Sequence, residues 1–112
     1  MRNLLYVILF LSIIECKAQI IESKEIKNII IENINTTQRI TITDNSQITQ
    51  LLKIINSSSR EFYIFIPNYR ITISYVNNKK KVVLLKGMML KIDGISYKAN
   101  KKLSKIIEIY FR

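Results

Sequence analysis

From Tyr69 to Tyr75, apolar or aromatic side chains alternate with Arg70, Thr72 and Ser74. A period of two predicts a strand with one buried face. Asn77-Asn78 follows, and Asn tolerates the left-handed backbone that tight hairpin turns require. Lys79, Lys80 and Lys81 then lead into Val82-Val83-Leu84-Leu85, a second apolar run. Tyr69 to Leu85 therefore reads as an antiparallel hairpin around which the chain is organised. A two- or four-residue loop sets Ile71 and Ile73 on one face with Val82 and Leu84. A three-residue loop swaps in Val83 and Leu85, because a one-residue slip turns every side chain over. The first register is the expected one, with Val83 and Leu85 on a second, half-apolar face beside Thr72, Ser74 and Val76.

The same reading extends along the chain. Gln19 to Asn28 is a polar lead-in. Ile26 to Ile34 fits both strand and helix spacing; its stiff β-branched residues and the loop-like Asn35-Thr36-Thr37 favour a strand. Gln38 to Thr43 alternates again, which makes the first two strands a hairpin. Asp44 starts a helix, with Gln47 three residues on as a capping box. Ile48, Leu51, Leu52 and Ile55 form its buried stripe, and Asn56-Ser57-Ser58-Ser59 ends it.

Glu61 to Ile66 is apolar on both faces behind one acid. It reads as a buried strand or as a loop folded under the sheet, and Pro67 disfavours a central strand. Lys86-Gly87 makes a turn, Met88 to Ile92 a strand, Asp93-Gly94 a second turn and Ile95 to Lys98 a return strand. Asn100 caps a last helix whose stripe is Leu103, Ile106, Ile107 and Tyr110. The expected order, give or take one strand, is β-β-α-β-β-β-β-α. The expected class is α+β: a single two-layer domain, a mainly antiparallel sheet covered by two amphipathic helices.

The first residues belong to a different pattern. Arg2 precedes an almost wholly apolar run from Leu4 to Ile14, and Cys16-Lys17-Ala18 places small residues before Gln19. These are the parts of a secretory signal peptide over residues 1–18, cleaved near Ala18. The run is too short to span a bilayer. Glu15 stands where lipoprotein processing needs a small residue. Residues 19–112 are then a single domain, exported to the periplasm, the cell envelope or the exterior. That mature chain has no Cys, so its stability comes from apolar burial. At 48% hydrophobic, the composition supplies a packed core.

Composition excludes much chemistry. The chain has no His, which removes Ser-His-Asp triads, Cys-His pairs and His-bearing zinc sites. Two isolated glycines form no phosphate loop. Asp44 and Asp93 are taken by a cap and a turn, leaving no carboxylate pair for glycoside hydrolysis and no calcium cluster. Ser96 and Lys98 share a strand face, but no Ser-x-x-Lys motif exists. No catalytic residue, metal ligand or cofactor is expected, and the chain reads as a non-enzyme. Asn35-Thr36-Thr37 and Asn56-Ser57-Ser58 match the N-glycosylation pattern, which matters only in a eukaryote.

Charge points to a surface. Residues 77–112 hold ten basic and two acidic residues, whereas residues 19–76 are nearly neutral. The candidate anion- or partner-binding residues are Lys79, Lys80, Lys81, Lys86, Lys101, Lys102 and Lys105, with Lys91 and Lys98 nearby. An A/T-rich coding sequence supplies many lysines without function, so their number alone carries little. Lys over Arg favours diffuse attraction to anionic lipid or polysaccharide over bidentate phosphate recognition. Export disfavours nucleic acid, and Phe62, Tyr63, Phe65 and Tyr69 fall outside the basic segment. If Tyr63 or Phe65 stands free, Glu61 to Tyr69 becomes a docking segment for a protein; core burial is the expectation for so dense a run. The expected function is a small exported binding domain with a protein partner. The alternatives are an envelope protein that binds anionic lipid or polysaccharide through its basic third, and an enzyme of unrecognised type.

Overall fold

A computed structural model describes residues 21–22 and 25–111. The expected leader over 1–18 lies outside the described residues. The elements are β1 (Ile26–Asn33), β2 (Arg39–Ile42), α1 (Asn45–Asn56), β3 (Ser59–Arg60), β4 (Tyr69–Tyr75), β5 (Lys80–Lys86), β6 (Met89–Ile92), β7 (Ile95–Lys98) and α2 (Lys101–Tyr110). The α+β class holds, and the order gains one strand, the two-residue β3. Its sequence, Ser-Arg, carries no strand signal; pairing with β7 alone makes it one.

All seven strands form one sheet in the order β2-β1-β4-β5-β6-β7-β3, and every pairing is antiparallel. Short turns explain the meander from β4 to β7. Asp93 and Gly94 both take positive φ (52° and 79°), as the two central residues of a type I′ hairpin turn do.

The central hairpin takes the other register. Ile71 lies opposite Val83, and Tyr69 opposite Leu85. Val83 and Leu85 are therefore the buried pair, not Val82 and Leu84. The cause is the loop. The Tyr75 N–H donates to the Lys79 carbonyl at 2.9 Å, which leaves three residues between them. Asn78 takes φ 70°, the left-handed residue that closes a three-residue loop.

One face of the sheet holds Ile29, Ile31, Ile71, Ile73, Val83, Leu85, Leu90 and Ile92. Together with Ile48, Leu51, Leu52 and Ile55 of α1 and Leu103 and Ile107 of α2, they form one apolar cluster. No polar side chain among the described residues is fully buried. The lead-in is not loose at residue 21. Ile21 is buried, its N–H donates to the Asn56 Oδ1 at 2.8 Å and its carbonyl accepts from the Asn56 amide at 3.1 Å.

The two helix starts differ from expectation. Asn100 caps α2: its side chain accepts from the Lys102 N–H at 3.1 Å. Asp44 stands at the start of α1 but makes no side-chain cap bond, so the expected capping box does not form. Asn100→Ala should therefore lower the unfolding free energy by about 1 kcal/mol, the usual loss for a capping side chain. Asp44→Ala should change it by less than about half of that. Urea melts of the two variants check this; equal losses would mean that Asp44 caps after all.

Candidate functional site

Connectivity brings a special segment to the surface. β2 lies at one edge of the sheet and β3 at the other, so α1 carries the chain from edge to edge. β4 lies back in the middle, four strands from β3. Residues 61–68 make the return. The register puts Ser96 opposite Lys91, on the face away from the core. There the Ser96 hydroxyl donates to the Glu61 carbonyl and accepts from the Tyr63 N–H at 2.9 Å. At the far end, the Asn68 N–H donates to the Leu85 carbonyl and the Asn68 carbonyl accepts from the Ile34 N–H, both at 2.9 Å. The segment is thus a strap across the outer face of β7, β6 and β5.

The strap corrects the burial expected for this run. Phe62, Ile64 and Ile66 are 86%, 89% and 81% exposed, while Tyr63 and Phe65 are half-buried. In an extended chain alternate side chains point to opposite sides. Tyr63 and Phe65 turn toward the protein, and the three others form a ridge that points away from it. Most exposed apolar residues are isolated and carry no message; three in period two on a pinned segment are a surface feature. The Tyr63 hydroxyl donates to the Glu61 carboxylate, and that bond to an anion raises the Tyr63 pKa above its ordinary value.

The sequence-predicted lysines fall in four places. Lys79 and Lys80 are exposed at the tip of the central hairpin. Lys81 falls on the core-side row and pairs with Asp93, and this bond raises its pKa. It is the least available of the set. Lys86 ends β5, about 20 Å from Lys80 at strand rise, on the outer face with Lys91 and Lys98. Lys101, Lys102 and Lys105 ride on α2, whose other side enters the core. Its Leu103 and Ile107 join the core cluster with Val83, Leu85, Leu90 and Ile92, whose row alternates with that of Lys86, Lys91 and Lys98.

The outer face of β4 to β7 carries more basic than acidic groups, with Glu61 of the strap as the acid that shares the groove with Lys91. β4, β5, β6 and β7 contain no acid. Arg70 is engaged, since Glu32 accepts from it and from Arg39, each at 3.0 Å. Lys86, Lys91 and Lys98 are exposed. A groove of about 350 Å³ opens between strap and sheet, with Arg60, Glu61, Phe62, Lys91 and Ser96 among its walls.

Neither Ser96 nor Asn56 is free for the chemistry its motif allows. The Ser96 hydroxyl proton is directed at the Glu61 carbonyl, not toward Lys98, so its role is to hold the strap. The Asn56 amide clamps Ile21, and a glycan there would break the clamp; Asn35 sits exposed in the β1–β2 loop. Among the described residues, no group of three His, Cys, Asp or Glu side chains could hold a metal ion. No described helix is long and apolar enough to cross a membrane.

Sequence reading missed the ridge: residues 62–66 are apolar at every position, so no alternation marks the side that stays exposed. Comparison with known proteins finds no family model, no curated protein and no solved structure that matches this chain.

Proposed function

We propose that this chain is a small exported, non-enzymatic binding domain that engages its partner through the strap ridge, Phe62, Ile64 and Ile66. The observation that carries the reading is the exposure of these three side chains side by side on one segment, above 80% each, whereas the other exposed large apolar residues among those described, Val76, Val82 and Ile109, lie on separate elements. The reading takes the architecture as two layers. Helices cover one face of the sheet, and the other face, with its strap, is left for contact. Export follows from the leader over 1–18 and its cleavage near Ala18. A protein partner is compatible with the ridge. The alternative of an anionic lipid or polysaccharide draws on Lys86, Lys91 and Lys98, which surround the strap, more than on Lys79–Lys81 or the α2 lysines.

A photo-reactive residue tests the docking surface directly. Placed at Ile64, it should give saturable adducts in cells that make the protein. Placed at Thr49, exposed on α1, it should give none. Equal labelling from both positions, or neither a protein nor a lipid adduct from Ile64, would remove the ridge as the binding surface. N-terminal sequencing of the same material reads the cleavage site, and a chain that begins at Met1 refutes export by this route.

A further inference from the structure

We propose that the partner of the ridge is an anionic lipid bilayer: Phe62, Ile64 and Ile66 insert at the interface, and Lys86, Lys91 and Lys98 face the headgroups. This rests on the reading of the strap as the binding surface, and it names the partner class.

Four observations converge. The ridge is convex and made of Phe and Ile, side chains without a polar tip. Protein hot spots instead favour Trp, Tyr and Arg seated in pockets. Apolar side chains flanked by lysines are the composition of interfacial insertion. Second, the ridge is short. Alternate residues along a strand stand about 6.6 Å apart, so Phe62 to Ile66 spans about 13 Å. Three side chains can enter the acyl boundary while the backbone stays in the hydrated headgroup layer. Third, the flanking charge is net positive: three lysines stand against Glu61, the strap carboxylate that shares the groove with Lys91. Lys86, Lys91 and Lys98 lie on strands without acids, and lysine suits diffuse attraction to headgroups. Fourth, a second copy is a poor occupant. Ridge-to-ridge pairing would bring the same lysines face to face, in a chain of net charge +10. An acidic protein groove is the competing occupant, and the experiment separates the two.

The chain has no Trp, so Phe62→Trp places a single indole fluorophore on the ridge. Purified protein, its N terminus recorded by sequencing, is mixed with equimolar phosphatidylcholine–phosphatidylglycerol vesicles and with phosphatidylcholine vesicles alone. The expected result is binding to the anionic vesicles that weakens with salt, with a blue shift of the indole emission and quenching by brominated lipid. This readout reports the ridge even in a chain that keeps its apolar leader. Phe62→Ser, Ile64→Ser and Ile66→Ser together should weaken binding at least about tenfold. Lys86→Glu, Lys91→Glu and Lys98→Glu together should weaken it by more than about fivefold per lysine, since each change adds repulsion to lost attraction. Lys101→Glu, Lys102→Glu and Lys105→Glu change net charge equally and should weaken it much less. Circular dichroism confirms that each variant is folded; if the outer-face triple fails, single reversals at Lys91 and Lys86 replace it.

Unchanged indole emission on bound vesicles overturns insertion, and equal loss from the two lysine triples overturns the outer face. No vesicle binding overturns the lipid assignment. If Ile64 adducts persist in that case, the ridge still binds, and its partner is a protein. If both signals are missing, the binding reading falls with the lipid one.

Discussion

Val83→Asp should abolish cooperative folding, whereas Val82→Asp should leave the protein folded. The two positions are neighbours with the same side chain, but the hairpin register separates them. Val83 is wholly buried, opposite Ile71 on one side and Ile92 on the other. The cation nearest along that row, Lys81, is already paired with Asp93. A carboxylate in place of Val83 must either ionise in an apolar medium or take up a proton, and both cost several kcal/mol. The net stability of a domain this size is about 5–15 kcal/mol, so the loss is comparable with the whole. Val82 lies opposite Thr72 on the outer face and is 42% exposed. Aspartate there is solvated, and its effect should stay within about 1 kcal/mol. Urea melts followed by circular dichroism read both. The reverse order would mean that Ile71 and Ile73 share their face with Val82 and Leu84.

That register was the part of the hairpin that composition hid. The first strand has a clear phase, because Arg70, Thr72 and Ser74 mark its solvent side. The second has none. Val82-Val83-Leu84-Leu85 is apolar at every position, so hydrophobic pattern cannot choose a face. The choice falls to the loop, and Asn77-Asn78 permits several loop lengths. Only the Asn78 backbone and the Tyr75–Lys79 bond settle it. Helix stripes were legible for the opposite reason: Ile48, Leu51, Leu52 and Ile55 fit a 3.6-residue period and no other, and all four are buried. The Asp44 cap was misleading because propensity names the residue at a helix start but not the orientation of its side chain.

The strap failed to read as a surface for a related cause. A dense apolar run is ordinarily buried, and sequence holds no record of how much face a sheet has left to cover. In the two-layer reading α1 and α2 fill the core face. The connection from β3 to β4 must cross the other side, where only its odd-numbered side chains find cover. The site was therefore half legible: the segment and the nearby lysines were visible, but their convergence depends on β3 lying at the far edge. Nothing in Ser59-Arg60 announces that position. The seven lysines first singled out were close in sequence, yet strand direction sends Lys80 and Lys86 to opposite ends of β5, and in the two-layer reading α2 takes three others to the opposite face.

Leu103→Ala should lower the unfolding free energy by about 2–5 kcal/mol, while Ile109→Ala in the same helix should change it by less than about 0.5 kcal/mol. Leu103 is wholly buried and Ile109 is 61% exposed. The comparison holds helix and host constant, so it isolates packing. Alanine is the better helix former at both positions, and propensity therefore works against the predicted loss at Leu103. The loss itself comes from the apolar surface returned to water and from the cavity left where Leu103 meets the core cluster. Its size depends on how far α2 can settle onto the sheet, which is why the range is wide. The sequence holds a single Cys, so no disulfide within the chain limits the damage. Thermal melts should show a drop of roughly 4–8 °C per kcal/mol for Leu103→Ala in a domain of this size. A small loss at Leu103, equal to that at Ile109, would mean that α2 is not docked on the sheet. Its three lysines would then be free to join those of the outer face, and the separation of the basic residues into two faces would fail with it.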